Sequence, residues 1–211
     1  MTSIPKAELA ELPAAVYGGK ITIVDTPELL QQAVATLSKS KVLGFDTETK
    51  PSFKRGEHYS VSLLQLACDE ECFLIRLNKV AVTEELKKLL ENQDILKVGV
   101  SIHDDFHQLK KLFDMDPQGF VELQTYVKKY NIADNSLSRI YAIIFGNRIS
   151  KGQRLTNWEA SQLNEHQQEY AALDAVACLR IWYHLQAKGF DYKTSKYYRE
   201  FEIPASQVPH N

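Results

Sequence analysis

The sequence predicts one α/β domain, built on a mixed sheet with helices on both faces. Apolar strand-like runs alternate with helix-like segments, in the order hairpin, helix, strand, helix, strand and helix. The chain has 211 residues, 44% of them hydrophobic, which suffices for one well-buried domain but not for two full domains. We assign the domain to residues 21–187, between an N-terminal arm at 1–20 and a C-terminal tail at 188–211.

Capping and turn residues mark where the elements begin and end. Asp25 or Thr26 is suited to cap the first long helix, and Thr83 begins another. The acidic turn at 69–71 joins two strands into a hairpin. The predicted strands are 21–24, 41–48, 59–67, 72–77, 95–100 and a short stretch at 120–123. The predicted helices run from 26 to about 38 and over 83–91, 103–113, 136–145 and 165–187.

Composition excludes some classes of protein and leaves others open. The formal net charge of -2 gives no electrostatic signature of a nucleic-acid binder, although a local basic groove can lie on a neutral protein. The three cysteines, Cys68, Cys72 and Cys178, form neither an even disulfide framework nor a complete zinc motif. The N-terminus has no apolar core of signal length, and no apolar run reaches the length of a membrane span. We therefore expect a cytoplasmic protein that has no membrane partner.

Two carboxylates end the strand predicted at 41–48. Asp46 and Glu48 are two residues apart in the stretch VLGFDTET, and alternate side chains of a strand project from the same face. Gly44, just before them, allows another backbone to approach the strand closely. Two like charges on one face of a core strand require an explanation, because burying unpaired charge is costly.

A second pair of carboxylates begins the helix predicted at 103–113. The apolar stripe of this helix consists of Phe106, Leu109, Leu112 and Phe113. At 100° per residue, the centre of the stripe lies about 50° from Asp105 but about 150° from Asp104. Asp105 therefore borders the buried face, whereas Asp104 faces outward or helps to cap the helix.

The helix predicted at 165–187 carries an acidic residue in the middle of its apolar stripe. The stripe consists of Tyr170, Asp174, Ala177, Cys178, Ile181 and Leu185. An ionised Asp174 in this position needs either a salt bridge with a basic residue or a metal ion. Tyr170, one turn earlier on the same face, is by itself compatible with an ordinary core aromatic.

One explanation covers the four carboxylates Asp46, Glu48, Asp105 and Asp174. Acids held close together raise one another's pKa unless divalent cations compensate their charge. Oxygen ligands on a strand and two helices suit Mg²⁺ or Mn²⁺. Two such ions about 3.5–4 Å apart stabilise both the attacking and the leaving oxygen in phosphodiester cleavage.

Three motifs resemble, in order, those of the DEDD superfamily of 3′–5′ exonucleases. They are FDTE at 45–48, VGVSIHDD at 98–105 and YAALD at 170–174. The segments SLLQLA, FVEL and LTNWEASQLNEHQQEYAALDA also match, so the resemblance covers about residues 20–187. The sequence is most similar to Werner-type exonuclease domains, with ribonuclease D as a wider relative. The resemblance implies a ribonuclease H-like three-layer fold, with a mixed and mainly parallel sheet of five or six strands.

The resemblance also implies the roles of five residues. The ligands of two divalent ions, Mg²⁺ or Mn²⁺, are then Asp46, Glu48, Asp105 and Asp174. A second branch of the superfamily has a histidine five residues before the last aspartate, where this chain has Glu169. The chain therefore falls in the tyrosine branch, in which Tyr170 orients the attacking water. An unperturbed phenol has a pKa of about 10, so we expect Tyr170 to position the water rather than to act as a full general base.

Several further residues are candidates for substrate binding. They are Thr47, Lys54, Arg55, Lys151 and Arg154. Basic residues in the loop after the acidic strand would hold phosphates, and Phe53 would stack on a terminal base. A solvated surface loop explains the same stretch equally well.

The expected activity is the release of nucleoside 5′-monophosphates from the 3′ end of nucleic acid, with DNA favoured over RNA. The alternatives are a ribonuclease D-like enzyme that trims RNA 3′ ends and an inactive nucleic-acid-binding module. An aspartyl-nucleophile phosphatase is disfavoured, because its Asp-x-Asp motif is broken by Glu48. The sequence has no helicase motif or Walker loop, so a protein partner would supply any targeting or processivity.

Overall fold

The computed structural model describes residues 1–54 and 56–200, which form a single six-stranded sheet with helices around it. The strands are β1 (Lys20–Val24), β2 (Val42–Thr49), β3 (Val61–Ala67), β4 (Glu71–Ile75), β5 (Leu96–Gly99) and β6 (Phe120–Glu122). Their order across the sheet is β1-β4-β3-β2-β5-β6. β2, β3 and β4 pair antiparallel, whereas β1 with β4, β2 with β5, and β5 with β6 pair parallel. The prediction of a mixed, mainly parallel sheet is confirmed.

Helices cover both faces of this sheet. They are α1 (Lys6–Glu11), α2 (Pro27–Leu37), α3 (Glu84–Glu91), α4 (Ile102–Leu109), α5 (Leu123–Tyr126), α6 (Leu137–Phe145) and α7 (Glu165–Gln186), with 3-10 turns at Val127–Tyr130 and Tyr192–Thr194. Leu63 of β3 packs in the core formed with α6 and α7, whereas the next residue, Leu64, packs in the core formed with α2, α3 and α4. This alternation is what a sheet buried on both faces requires.

Of the two caps predicted for the first long helix, Asp25 and Thr26, the structure has Thr26, and the predicted helix start at Thr83 is confirmed. The hydroxyl of Thr26 accepts a hydrogen bond from the N–H of Leu29 at 3.3 Å, and that of Thr83 accepts one from Leu86 at 3.3 Å. Each bond satisfies an N–H group that has no partner within the helix.

The close backbone approach predicted at Gly44 occurs between β2 and α7. A Cβ atom at Gly44 would collide with the carbonyl oxygen of Ala175 and would lie 3.2 Å from the Cβ of Leu179. Glycine therefore lets α7 lie directly on β2. This contact places Asp174, the neighbour of Ala175, beside the acidic end of the strand.

Two segments differ from the prediction. The helix predicted at 103–113 ends at Leu109, because the chain then tightens into a turn in which the N–H of Leu112 bonds to the carbonyl of Leu109 at 2.9 Å. Leu112 is consequently 38% exposed and does not belong to the buried stripe. The residues after β6 form α5 and a 3-10 turn, which the sequence pattern did not predict.

Both ends of the described chain pack against the domain. Ile4 is fully buried, and its N–H donates to Asp134 Oδ2 at 2.9 Å. Tyr197 is also buried. Residues 201–211 of the predicted tail lie outside the described residues, and the boundaries at 21 and 187 stay a prediction. None of the described helices is both long and apolar enough to cross a bilayer.

Candidate active site

Three carboxylates meet where β2 lies against α7. Asp46 and Glu48 project from one face of β2, and Asp174 reaches them from α7. One carboxylate oxygen from each of the three residues lies within 4.8 Å of the other two. Glu48 is 8% exposed and Asp174 7% exposed, so the group is largely shielded from water. We call Asp46, Glu48 and Asp174 the acidic group.

Burial raises the pKa of every member of the acidic group, and repulsion by neighbouring acids adds to the shift at Asp46 and Glu48. Burial is the main cause that raises the pKa of Glu48 to about 9, and the charges of Asp174 and Asp105 add to the shift. Burial also raises the pKa of Asp174 to about 7. The pKa of Asp46 lies well above its usual range through burial and the charges of the neighbouring acids. Without a cation, the group therefore resists full ionisation at neutral pH.

Asp105 lies beside β2 but outside the acidic group. Its Oδ1 atom accepts a hydrogen bond from the hydroxyl of Thr47, so Thr47 contacts a predicted ligand directly. Burial raises the pKa of Asp105 to about 7, and the bond from Thr47 opposes this shift. Asp105 is half-buried and Asp104 is exposed, as the helical phase predicts. The role of Asp105 as a fourth metal ligand stays a prediction.

Glu122 also lies in this region, although it was not among the predicted site residues. Its carboxylate accepts hydrogen bonds from the N–H of Ile102 at 2.9 Å and from the N–H of Gln124 at 3.0 Å. It thereby fixes the beginning of α4, the helix that carries Asp105. The sequence signal for Glu122 was its position at the end of a short apolar stretch. A polar residue there lies at the edge of the sheet where the carboxyl ends of parallel strands meet.

Tyr170 lies one turn before Asp174 on α7, with its ring against Trp158. Burial and the charges of Asp174 and Glu48 raise the pKa of the phenol further above its ordinary value of 10. The hydroxyl therefore stays protonated at neutral pH, which suits holding a water rather than removing its proton. Trp158 is fully buried, as predicted, and its ring centroid lies 6.1 Å from that of Tyr170.

A cavity of about 430 Å³ opens beside the acidic group. The predicted site residues that line it are Asp46, Lys151, Arg154, Tyr170 and Asp174. The charge of Arg154 opposes the rise in the pKa of Glu48, and that of Lys151 opposes the rise in the pKa of Asp174. The structure thus brings two of the predicted basic residues to the carboxylates.

The loop that carries these two basic residues is tied to the body of the domain. The hydroxyl of Ser138 on α6 donates to the carbonyl of Ile149 at 3.0 Å, just before the basic residues. After them, the buried guanidinium of Arg76 donates to the carbonyl of Ala160 at 2.6 Å. These bonds restrict the positions that the basic residues can take around the cavity.

The loop after β2 contributes less to the cavity beside the acidic group. Lys54 and Phe53 line a separate cavity of about 480 Å³, and Phe53 is 80% exposed. Lys50 is paired with Glu159 at 3.2 Å. Arg55 lies outside the described residues. The substrate-binding roles of Lys54 and Arg55 stay predictions.

The acidic group fits the binding of divalent cations. Its donors are carboxylate oxygens, the ligands that Mg²⁺ and Mn²⁺ prefer. Among residues 1–54 and 56–200, no salt bridge involves any member of the group. A structural ion pair, the alternative considered for Asp174, is therefore not what balances its charge.

The mixed six-stranded sheet with helices on both faces is a ribonuclease H-like fold. Residues 21–189 match the 3′–5′ exonuclease family, and the chain belongs to that family. The family predicted from the sequence motifs is confirmed.

The chain is similar to individual exonucleases in sequence or in fold. The chain is similar to the bifunctional 3′–5′ exonuclease/ATP-dependent helicase WRN of Mus musculus, with 37% identity over 159 residues, 72% of this chain but only 11% of that protein. Its fold is similar to that of the Nibbler EXO domain of Aedes aegypti, with a TM-score of 0.74, 21% identity and coverage of 84% and 95% of the two chains. Its fold is also similar to that of Escherichia coli RNase D, an exoribonuclease, with a TM-score of 0.72 and 22% identity. The match covers 80% of this chain and 45% of the RNase D chain.

Proposed function

We propose that this protein is a metal-dependent 3′–5′ exonuclease that hydrolyses phosphodiester bonds and releases nucleoside 5′-monophosphates. The observation that carries the proposal is the acidic group itself: three carboxylates within 4.8 Å, two of them almost fully buried, with no salt bridge among the described residues. A protein that only bound nucleic acid would have no use for this concentration of negative charge, which repels phosphates. The same charge becomes useful when divalent cations lie between it and the substrate.

The residues around the cavity have distinct tasks in this reaction. Asp46, Glu48 and Asp174 would hold two ions, Mg²⁺ or Mn²⁺, with Asp105 completing the ligand set. When bound, the ions lower the pKa of a water and stabilise charge on the phosphate oxygens. The protonated hydroxyl of Tyr170 holds the attacking water by a hydrogen bond, and its ring is kept in place by Trp158.

Lys151 and Arg154 face the phosphate backbone in this proposal. Both side chains line the cavity beside the acidic group. The positive charge of each side chain would neutralise part of the charge of an entering phosphate. Their position explains how a protein with a formal net charge of -2 binds a polyanion. A protein partner that supplies targeting or processivity remains part of the proposal.

DNA is the preferred substrate in this proposal, and trimming of RNA 3′ ends is the second candidate. The relative at 37% identity is a 3′–5′ exonuclease coupled to a helicase, which supports DNA. The fold is shared with the exoribonuclease RNase D of Escherichia coli at 22% identity, which supports the fold alone. The preference depends on how the site meets the 2′-hydroxyl.

The experiment is a digestion of 5′-labelled single-stranded and recessed-end oligonucleotides, with DNA and RNA in parallel. Wild-type protein is expected to give a descending ladder with Mg²⁺ or Mn²⁺ and no products with EDTA. Asp46→Asn should lose at least about a hundredfold in rate, because it removes a ligand from a site that acts by electrostatics. Asp104→Asn, which changes an exposed acid nearby, is the matched control and should remain active.

Three results would count against the proposal in different ways. Full activity of purified Asp46→Asn would refute the assignment of the site. A single internal cut would indicate an endonuclease. A faster ladder on RNA would overturn the DNA preference and favour the second candidate.

A further inference from the structure

Gln65, in the middle of β3, is a fully buried polar residue without a hydrogen-bond partner. Its side chain is 0% exposed. Among the residues that the structure describes, neither Oε1 nor Nε2 has a partner. A buried amide left unpaired destabilises a protein, because the desolvation of its polar atoms is not compensated. An apolar residue of the same size would avoid that penalty, so the amide needs a different explanation.

The register of the sheet places Gln65 directly opposite Asp46. β2 and β3 pair antiparallel, with Asp46 across from Gln65 and Glu48 across from Leu63. Directly opposed residues in an antiparallel pair have Cβ atoms about 4.5–5.5 Å apart and share a face of the sheet. The amide of Gln65 is therefore within reach of the Asp46 carboxylate after rotation about its side-chain bonds.

The face that Gln65 occupies is the one covered by α7. Leu63 and Ala67, two residues to either side, belong to the core that contains the buried residues of α7. Alternation along the strand puts Gln65 on the same face, between the sheet and the helix that carries Asp174. The two unpartnered atoms thus lie beside the acidic group and not in a remote part of the core.

We infer that Gln65 is a positioning residue for Asp46: its Nε2 group would donate a hydrogen bond to the Asp46 carboxylate when that carboxylate holds a metal ion. This inference rests on the proposed function, because a carboxylate without a cation has no orientation to keep. Partners that orient a ligand in this way typically contribute 10–100-fold to metal affinity or activity. The backbone N–H of Thr47 already donates to Asp46 Oδ1 at 2.9 Å, so a bond from Gln65 would fix the carboxylate from a second side.

A purely structural role of Gln65 makes a different prediction. If the amide only filled space, Gln65→Met would keep the volume, remove the unpaired polar atoms and leave metal binding unchanged. If it positions Asp46, the same change weakens metal binding while the fold keeps or gains stability. Metal affinity in the absence of any oligonucleotide therefore separates the two roles.

The test is a titration of the full chain with Mn²⁺, in which electron paramagnetic resonance measures the concentration of the free ion. Gln65→Met is expected to raise the Kd for Mn²⁺ about 10–100-fold, with a lower kcat, an unchanged KM for the oligonucleotide and an unfolding midpoint at least equal to that of the wild type. Leu66→Met is the control, because Leu66 is also fully buried in β3 but packs in the core on the opposite face of the sheet. It should bind Mn²⁺ like the wild type.

Two outcomes distinguish the inference from the proposed function. Mn²⁺ affinity of Gln65→Met within twofold of the wild type would overturn the role of Gln65 alone. Wild-type protein that binds no Mn²⁺ would refute the proposed function, and the inference with it. Should Gln65→Met fail to fold, a crystal structure of the wild type with Mn²⁺ decides: Nε2 about 3 Å from an Asp46 oxygen supports the inference, and a separation beyond about 4 Å overturns it.

Discussion

Replacing Asp174 by asparagine is expected to stabilise the metal-free protein at neutral and alkaline pH. The Asp174 carboxylate is 7% exposed and shares a small space with two other acids. Burial is the first cause of its raised pKa, which is about 7 in the folded chain against an ordinary 3.8. Asparagine keeps the shape and one acceptor oxygen for the Tyr170 hydroxyl but carries no charge.

The sign of the effect follows from proton binding. Between pH 4 and 7 the folded chain holds a proton on Asp174 that the unfolded chain has released, so wild-type stability falls as pH rises through this window. A shift of about three pH units corresponds to an upper limit of about 4 kcal/mol, since each unit is worth about 1.4 kcal/mol. We expect a gain of about 1–4 kcal/mol for Asp174→Asn above pH 7 and little difference at pH 4.

The assay is urea unfolding in EDTA at pH 4, 5, 6, 7 and 8. Asp104→Asn serves as the control, because Asp104 is exposed, and its stability should follow that of the wild type. Adding Mn²⁺ should stabilise the wild type strongly and the Asp174→Asn variant much less. An Asp174→Asn protein that is no more stable than the wild type at pH 8 would show that burying the ionised Asp174 carboxylate does not destabilise the fold.

Three further predictions concern single residues. Tyr170→Phe should lower kcat roughly ten- to a thousandfold with little change in KM, because it removes one positioning hydroxyl but keeps the ring; an equal rise in KM would argue for substrate binding instead. Asp105→Ala should lose activity like a ligand variant while Asp104→Ala stays active, and reversed effects would mean that the α4 register is wrong. Gly44→Ala should destabilise the fold by about 1–3 kcal/mol, measured by urea unfolding, because its Cβ meets the carbonyl of Ala175; unchanged stability would show that α7 can move away from β2 freely.

Local pattern was enough to predict the six strands, five of the helices and the three members of the acidic group. Alternation along β2 placed Asp46 and Glu48 on one face, the helical stripe placed Asp174 inward, and Gly44 indicated the close approach that brings strand and helix together. Each of these inferences depends on residues within one element or on a single glycine. Local information of the same kind predicted that two helices begin at capping threonines.

The features that were not predicted depend on contacts between distant segments. Asp105 bonds to Thr47 because of where α4 lies against β2, which helical phase alone does not give. The pairing of Gln65 with Asp46 depends on a hairpin register that contains an irregularity after Glu48. A one-residue slip would have turned Gln65 to the other face, so only the three-dimensional structure shows that it lies beside the acidic group.

The most direct test of the proposed activity is the position at which an oligonucleotide first loses label. Identical DNA strands labelled on the 3′-terminal nucleotide or at the 5′ end are incubated with the protein and Mn²⁺, and the products are resolved with time. We predict that the 3′ label leaves in the first turnover as a nucleoside 5′-monophosphate. The strand that carries the 5′ label should shorten by one nucleotide at a time. Release of the 5′ label first, of nucleoside 3′-monophosphates, or of label in the presence of EDTA would contradict a metal-dependent 3′–5′ exonuclease.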